Sequence, residues 1–349
     1  MLPLRAESAG AMTTNMYREA AEAADRVEDQ LRRNWDPVSQ LAERLRARPP
    51  AAFVTIGRGS SDHAATYARY LVETRLGILA SSLSPSIFSV FKAPLSLADM
   101  LCVAISQSGR SPDLLAAAAA ARNSGALVVA LVNDPKSPLA EIATTVIPLA
   151  AGEEKSAAAT KSFITSLSAI AQLVACWSGD EAMEAALPQL PSALRKAWEE
   201  DWSPCRVMLQ SADHLYTVGR GLHLGIAQEA AHKLKETCMI HAEAFSSAEV
   251  LHGPNELAGE GFPALLFRSE DAADASVVEA ARRLGEQGAE IMIAGGGGPG
   301  SLPVPPAPHP ALAPIVQIEA FYRMANALAF DRGHDPDHPR HVKKVTHTV

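Results

Sequence analysis

A chain of 349 residues, 48% hydrophobic and 20% charged, is long enough to bury a large core and points to two domains or one large one. A formal charge of -8 and a pI of ≈ 5.8, with no basic block to neutralise phosphates, exclude a nucleic-acid-binding surface. The longest apolar runs, such as Leu114 to Ala121, fall far short of the ~20 residues a membrane span needs, and the start MLPLRAESAGAM lacks a basic region followed by an apolar core, so neither a membrane span nor a secretory signal is expected.

In chain order, residues 1–48 read as an N-terminal helical segment, polar and helix-favouring from Met16 to Arg48 and ended by Pro49-Pro50. From Ala51 the texture changes to short apolar runs alternating with helical stretches, the pattern of βαβ units and a parallel sheet. Ala52 to Ile56, Met100 to Ile105, Leu127 to Val132 and Thr145 to Leu149 are its predicted strands, with a serine-capped, proline-started helix from Ser111 to a stop at Gly125. A second series is predicted at Leu215 to Val218, Ala264 to Phe267, Ile291 to Ala294 and Ile315 to Ile318. The two series are related: Thr55-Ile56-Gly57-Arg58-Gly59 and Thr217-Val218-Gly219-Arg220-Gly221, about 160 residues apart, each run into a helix, which predicts a duplicated domain. Glycine and prolines at 179, 188, 191 and 204 mark the boundary, giving domains at 49–195 and 196–335 and a tail at 336–349. The low-complexity stretch 295–310, GGGGPGSLPVPPAPHP, reads as an exposed loop and not a phosphate cradle.

Cys102, Cys176, Cys205 and Cys238 form no CxxC pair, which fits reduced, packed thiols in a cytoplasm better than disulfides or zinc. Trp35, Trp177, Trp198 and Trp202 read as packing anchors. The tail histidines His334, His338, His341 and His347, with Asp331, Asp335 and Asp337, match no metal-binding helix spacing and read as a solvated tail, so no metal is expected.

Two serine-rich turns stand where open α/β folds bind ligands, at the carboxyl ends of predicted strands. Ser106-Gln107-Ser108-Gly109-Arg110-Ser111 lies between a strand and a capped helix, and Gly59-Ser60-Ser61 follows the first strand, so hydroxyls and unpaired N–H groups would face an anion such as a phosphate ester. Neither matches a GxGxxG or Walker pattern, which disfavours nucleotides. Glu229 to Pro254 crowds Glu229, Lys233, Glu236, His241, Glu243, Glu249 and His252 into one run. It opens as a helix whose Glu229, Lys233 and Glu236 share a face, opposite a buried face of Ala227, Ala230, Leu234 and Cys238. Alone, such a stripe is a solvated surface, and its place in the second repeat is what turns it toward chemistry.

These strings resemble the sugar isomerase (SIS) domain family, above all the isomerase half of glutamine:fructose-6-phosphate amidotransferase and its shorter relatives. The likeness covers roughly residues 50–349 and rests on GRGSSD at Gly57 to Asp62, SQSGRSPD at Ser106 to Asp113, AATKSF at Ala158 to Phe163, KLKE at Lys233 to Glu236, HAEAF at His241 to Phe245, HGP at His252 to Pro254, and the tail DPDHPRHVKKVT. The resemblance implies two tandem doubly wound, flavodoxin-like parallel-sheet domains. It implies that Gly59, Ser60, Ser61, Ser106, Gln107, Ser108, Ser111 and Ala157 hold a sugar phosphate, that Glu236 moves a proton between C1 and C2, and that His252 assists ring opening. Lys233 would lie near the open-chain hydroxyls and Lys344 would meet the sugar carbonyl. It also implies a homodimer in which the His252 loop serves the neighbouring chain, and no cofactor. His241 and Glu243 either buttress the site or dimer or give structural support.

The chain departs from the amidotransferase in having only about fifty residues, none of them cysteine, before the first sheet, so no glutamine-derived ammonia is expected. The GRGSSDHA and SQSGRSPD forms look like those of SIS-type glucosamine-6-phosphate deaminases. The expected activity is therefore a cytoplasmic conversion of glucosamine 6-phosphate to fructose 6-phosphate and ammonia, Glu236 being a carboxylate whose pKa is tuned by partial burial. The alternatives are another phosphosugar aldose–ketose isomerase, an ammonia-dependent synthase or a deglycase on a related amino sugar phosphate, and, in another class, a non-catalytic phosphosugar sensor.

Overall fold

The computed structural model describes residues 14–341 and Lys344; residues 1–13 and, in the tail, 342, 343 and 345–349 with His347 lie outside the described residues. The described chain forms two compact units. One consists of Asp25–Glu153 with Lys161–Gln189, and the other of Leu190–Lys344 with Glu154–Thr160 and the residues up to Ala24.

The first unit holds a five-stranded, all-parallel sheet of β1 (Phe53–Ile56), β2 (Ala80–Ser82), β3 (Leu101–Ser106), β4 (Leu127–Val132) and β5 (Thr145–Pro148), in the order β2-β1-β3-β4-β5. Its inner strands are buried along their whole length, Phe53–Ile56 and Leu101–Ser106 without exception, as a sheet covered by helices on both faces requires. The alanine-rich helix Pro112–Asn123 lays Leu114, Ala117, Ala118 and Ala121 on one face of it. Helix Lys161–Ser178, buried from end to end, packs with helix Ser60–Leu76.

The second unit repeats that order. Strands β6 (His214–Gly219), β7 (His241–Ser246), β8 (Pro263–Phe267), β9 (Glu290–Ala294) and β10 (Ser301–Leu302) are all parallel and run β7-β6-β8-β9-β10 from the opposite end. The two GRG turns owe their first glycine to the same cause. A Cβ on Gly57 would come within 2.9 Å of the Ser61 backbone, and one on Gly219 within 2.3 Å of the His223 carbonyl oxygen, so in both halves the following helix closes too tightly on the strand end for a side chain. In the same unit the helix Asn15–Ala21 is capped by Thr14, and the Asp337 carboxylate accepts from the Asn15 and Met16 N–H groups at 2.6 and 2.9 Å, a favourable place for negative charge.

Four details differ from the sequence reading. Ile315–Ile318 is not a strand but part of the helix Ala313–Asp331, whose residues are buried nearly all round, so a short apolar run carried no period to separate helix from strand. The edge strands β2 and β7 have too few buried positions to announce themselves, with Ala80 alone buried in the first and Ala242 alone in the second. The 295–310 stretch is not wholly a loop, since Ser301–Leu302 pairs with β9. Trp35 is 45% exposed, whereas Trp177 and Trp202 are buried and Trp198 stacks edge-on against Tyr17 at 4.9 Å. The four cysteines are free and buried, and burial pushes the Cys102, Cys205 and Cys238 thiols up to about 12. Among the described residues no helix is long and apolar enough to cross a membrane.

Candidate active site

In the first unit the two serine-bearing turns are tied together by one ion pair. Arg58, in the turn after β1, donates through Nε and Nη2 to Asp113 Oδ2 at 3.0 and 2.9 Å, while Asp113, fully buried in the first turn of helix Pro112–Asn123, also accepts from the Leu114 N–H. The arginine therefore sets the spacing between the Gly59-Ser60-Ser61 turn and the Ser106–Ser111 loop. The second loop is folded on itself: Ser106 Oγ accepts from the Gly109 N–H at 3.0 Å and Ser108 Oγ from the Arg110 N–H at 3.3 Å. Gly109 has φ +63°, and a Cβ there would meet Ser137 Oγ at 2.3 Å and Val132 Cγ2 at 2.8 Å. Ser111 is the N-cap residue of its helix, yet its hydroxyl makes no cap hydrogen bond and is half-buried. Gly59 begins helix Ser60–Leu76 with φ 53° and is exposed; Ser60, Ser61, Gln107 and Ser108 are half-buried around these turns.

In the second unit the charged face of helix Leu224–Cys238 is not solvated. Glu229 and Lys233 are buried, at 0% and 1% exposure, so the helix is enclosed on both of its faces. Lys233 Nζ donates to Glu236 Oε2 at 2.5 Å and lies 3.5 Å from Glu229 Oε1, and His232 Nε2 reaches Glu236 Oε1 at 3.0 Å. Tyr322, from helix Ala313–Asp331, donates its hydroxyl to Glu229 Oε1 at 3.0 Å. Burial alone would push the Glu236 carboxyl up, but the Lys233 ammonium and His232 hold it down to about 2. Burial works against the charge on Lys233, yet Glu229, Glu236 and the more distant Glu154 raise its pKa above the usual lysine range. Glu236 is thus a committed carboxylate, more strongly paired than partial burial led us to expect.

Glu154 links this cluster to the tail. Its fully buried carboxylate accepts from the Thr160 N–H at 3.1 Å and from Lys344 Nζ at 3.1 Å, and Lys344 also donates to the Ser156 carbonyl at 2.6 Å. Glu19 of the N-terminal helix holds the same loop by accepting from the Lys155 and Ser156 N–H groups at 2.5 and 3.1 Å. Half-buried Ala157 sits in that loop. Lys233, Glu236, Lys344 and Ala157 thus belong to one neighbourhood of one unit. His252 does not join them: it is exposed after the short turn Glu249–Leu251, and among the described residues its side chain makes no hydrogen bond or ion pair with Glu236. His241 and Glu243 are exposed on the edge strand β7.

The sequence reading passed over Glu154, His232, Tyr322 and Glu319. Glu319 lies on the same helix as Tyr322, is 1% exposed, has no partner for either oxygen among the described residues, and is pushed well above the carboxylate range by burial. A glutamate in an otherwise apolar helical run, three residues from a tyrosine, was the available signal for that pair. Glu154 had only its neighbours Glu153 and Lys155 to recommend it.

Two parallel sheets of order 2-1-3-4-5, with serine turns at strand ends in one and a carboxylate–lysine cluster in the other, define the class, doubly wound α/β proteins with two repeated halves. The comparisons with known proteins narrow it. The family profile described as SIS domain matches residues 51–176 and 208–295, more than half of the chain, and the chain belongs to the SIS domain family. The glutamine--fructose-6-phosphate aminotransferase [isomerizing] of Sulfurisphaera tokodaii is 30% identical over 352 residues, covering 94% of this chain and 55% of the relative. The chain spans about half the length of the curated relatives it matches. A crystal structure from Silicibacter pomeroyi DSS-3, assigned as a phosphosugar isomerase, is 43% identical with a TM-score of 0.88, covering 93% of this chain and 100% of that one. The glucosamine-6-phosphate deaminase of Thermotoga maritima shares the fold, with a TM-score of 0.79 at 18% identity over 96% of this chain and 100% of that one.

Proposed function

We propose that this protein deaminates and isomerises glucosamine 6-phosphate, giving fructose 6-phosphate and ammonia. The observation that carries the reading is the pairing of buried Lys233 with half-buried Glu236, while Glu154, whose charge acts on Lys233 at longer range, accepts from Lys344, so that a carboxylate and two ammonium groups are supplied in one unit. Glu236 removes the proton from C2 of the open-chain sugar and returns it to C1, leaving a hydroxymethyl group at C1 and an imine at C2. Water adds to the imine, and the amine leaves as ammonia. A carboxylate held at about 2 is a weak base, so the step depends on stabilising negative charge as it develops on the sugar oxygen at C1. Lys344 and Lys233 are the cations assigned that task.

The phosphate is assigned to the hydroxyls and N–H groups of Gly59, Ser60, Ser61, Ser106, Gln107, Ser108 and Ser111, with Ala157 beside the substrate. The Ser111 hydroxyl, which its own helix leaves unused, supports this assignment. His252 is assigned to ring opening, for which an imidazole titrates in a suitable range. Its exposure in the single chain supports a homodimer in which it serves the partner's site. We place the reaction in the cytoplasm, with no cofactor.

The test is release of ammonia and fructose 6-phosphate from glucosamine 6-phosphate without glutamine. Both products are expected from the wild type and neither from Glu236→Gln. A second reading, an aldose–ketose isomerase without ammonia release, is favoured by the likeness to the Silicibacter pomeroyi protein. Conversion of unaminated hexose 6-phosphates, with glucosamine 6-phosphate inert, would establish that reading instead. The shared-site arrangement is tested by mixing Glu236→Gln with His252→Ala after dissociation. Recovery of activity is expected from mixed dimers, and its absence would place His252 in its own chain's site.

A further inference from the structure

Because the two sheets have the same strand order, the loop after β8 is the counterpart of the serine loop after β3. Its chemistry is inverted: where the first unit has Ser-Gln-Ser-Gly, the second has Arg268-Ser269-Glu270-Asp271. This loop borders a cavity of ≈ 470 Å³, lined also by Gly295, Gly296, Val304, Pro306 and Gln317. The cavity opens at the carboxyl ends of β8 and β9, where α/β sheets bind ligands, and its volume falls within the roughly 300–1,000 Å³ of small-molecule sites.

Its walls are built rather than incidental. Gln317 is 1% exposed; its Nε2 donates to the Arg268 carbonyl at 2.8 Å, while its Oε1 has no partner among the described residues. A buried amide oxygen left unpaired is unfavourable, and a bound donor relieves it. Gly295 and Gly296 have φ +84° and +81°, and a Cβ on Gly296 would come within 2.3 Å of Arg268 Nη1, so the glycines keep the space clear. Arg268 is held by Asp274 through Nε and Nη2 at 2.7 and 2.8 Å, which cancels its charge, and Ser269 donates to Asp271 at 2.5 Å. Glu270, which accepts from the Ala307 N–H, and Asp271, which accepts from the Ala273 N–H at 2.8 Å, line the cavity with further lone pairs to offer.

Such a lining repels a phosphate ester and welcomes hydrogen-bond donors and positive charge. The carboxylates of Glu270 and Asp271 beside the Gln317 amide suit an organic cation that also carries hydroxyls. We propose that this cavity is a second sugar site, selective for an unphosphorylated amino sugar, with hydroxyls donating to Gln317 Oε1 and Glu270 and the ammonium group facing Asp271. The inference stands on the second unit alone and does not depend on the activity proposed above.

Calorimetric titration of the full chain with glucosamine tests it. Saturable binding is expected, unchanged by excess fructose 6-phosphate, weakened about tenfold by Glu270→Gln and abolished by Val304→Trp, which fills the cavity from a half-buried loop position. Both variants should retain wild-type melting temperature and turnover, so loss of binding is separable from loss of fold. The proposal is overturned by absence of saturable glucosamine binding to the wild type, by competition from fructose 6-phosphate, or by unaltered binding in folded Val304→Trp. Equal affinity for glucose, or tighter binding of glucose 6-phosphate, would overturn the charge selectivity.

Discussion

The two units place their ionisable groups differently on the same strand order. At the strand ends of the first, charge is paired between loops, Arg58 with Asp113 and Arg110 with Asp134, and what remains for a ligand is hydroxyl and backbone. In the second, Glu229, Lys233, Glu319, Glu154 and His223 are buried, and most are coupled to one another. Hydroxyls and N–H groups hold a fixed anion without titrating, whereas moving a proton needs groups whose charge is costly enough to be traded. On the proposed reading, one strand order serves binding in one half and acid–base chemistry in the other.

The largest test of that contrast is Glu236→Gln, which is expected to lower kcat for glucosamine 6-phosphate by about 10²–10⁴ while leaving KM near wild type. Steady-state kinetics showing a raised KM with kcat kept would break the division by making the second unit a binding element.

Next comes acid stability. Burial holds the His223 imidazole down at about 4, with Asp271 and Asp274 only partly offsetting it, and both ring nitrogens lack partners among the described residues. The unfolded chain takes up this proton near the ordinary histidine value of 6.5 and the folded chain only near 4, so the contribution is full above 6.5 and is lost as pH falls toward 4. The loss is on the order of 3 kcal/mol. Urea unfolding across that window should show it in the wild type and not in His223→Leu; identical pH profiles would remove His223 from the account.

Glycine substitutions sharpen the equivalence of the two GRG turns. Gly219→Ala, with its Cβ 2.3 Å from a backbone oxygen, should cost about 3 kcal/mol, and Gly57→Ala, at 2.9 Å, about 1–2 kcal/mol. Thermal melts that reverse this order would show that the turns are relieved differently. The smallest effect belongs to Ser111→Ala: with no cap bond to lose, stability should stay within about 0.5 kcal/mol while KM for the phosphosugar rises. Ser137→Ala, whose hydroxyl does cap its helix, should show the opposite pattern, a loss of about 1 kcal/mol with KM unchanged.

Much of the fold was legible because fully buried parallel strands are continuous apolar runs: β3, β4 and β8 stand out in Leu101–Ser106, Leu127–Val132 and Pro263–Phe267. The edge strands were not, because a strand paired on one side buries too little to need that composition. Ile315–Ile318 misled for the reverse reason, since a helix buried all round is as apolar as a strand. At the site, the KLKE and serine motifs announced Lys233, Glu236 and the hydroxyls, but Glu154 and Tyr322 reach the cluster from sequence separations of about 80 or more residues that no local pattern records.

The sequence by itself determined the two α/β halves, their glycine turns and the residue types available for chemistry, because periodicity, turn geometry and motif spacing are local properties of a chain. Only the tertiary structure decided which of those residues share an environment. It buried the face of helix Leu224–Cys238 that spacing alone would leave in water, set Glu236 to about 2 by placing Lys233 and His232 against it, and moored Lys344 on Glu154. The physical reason is that a side chain's charge state depends on the dielectric and the charges within a few ångströms, and those are fixed by packing between elements distant in sequence.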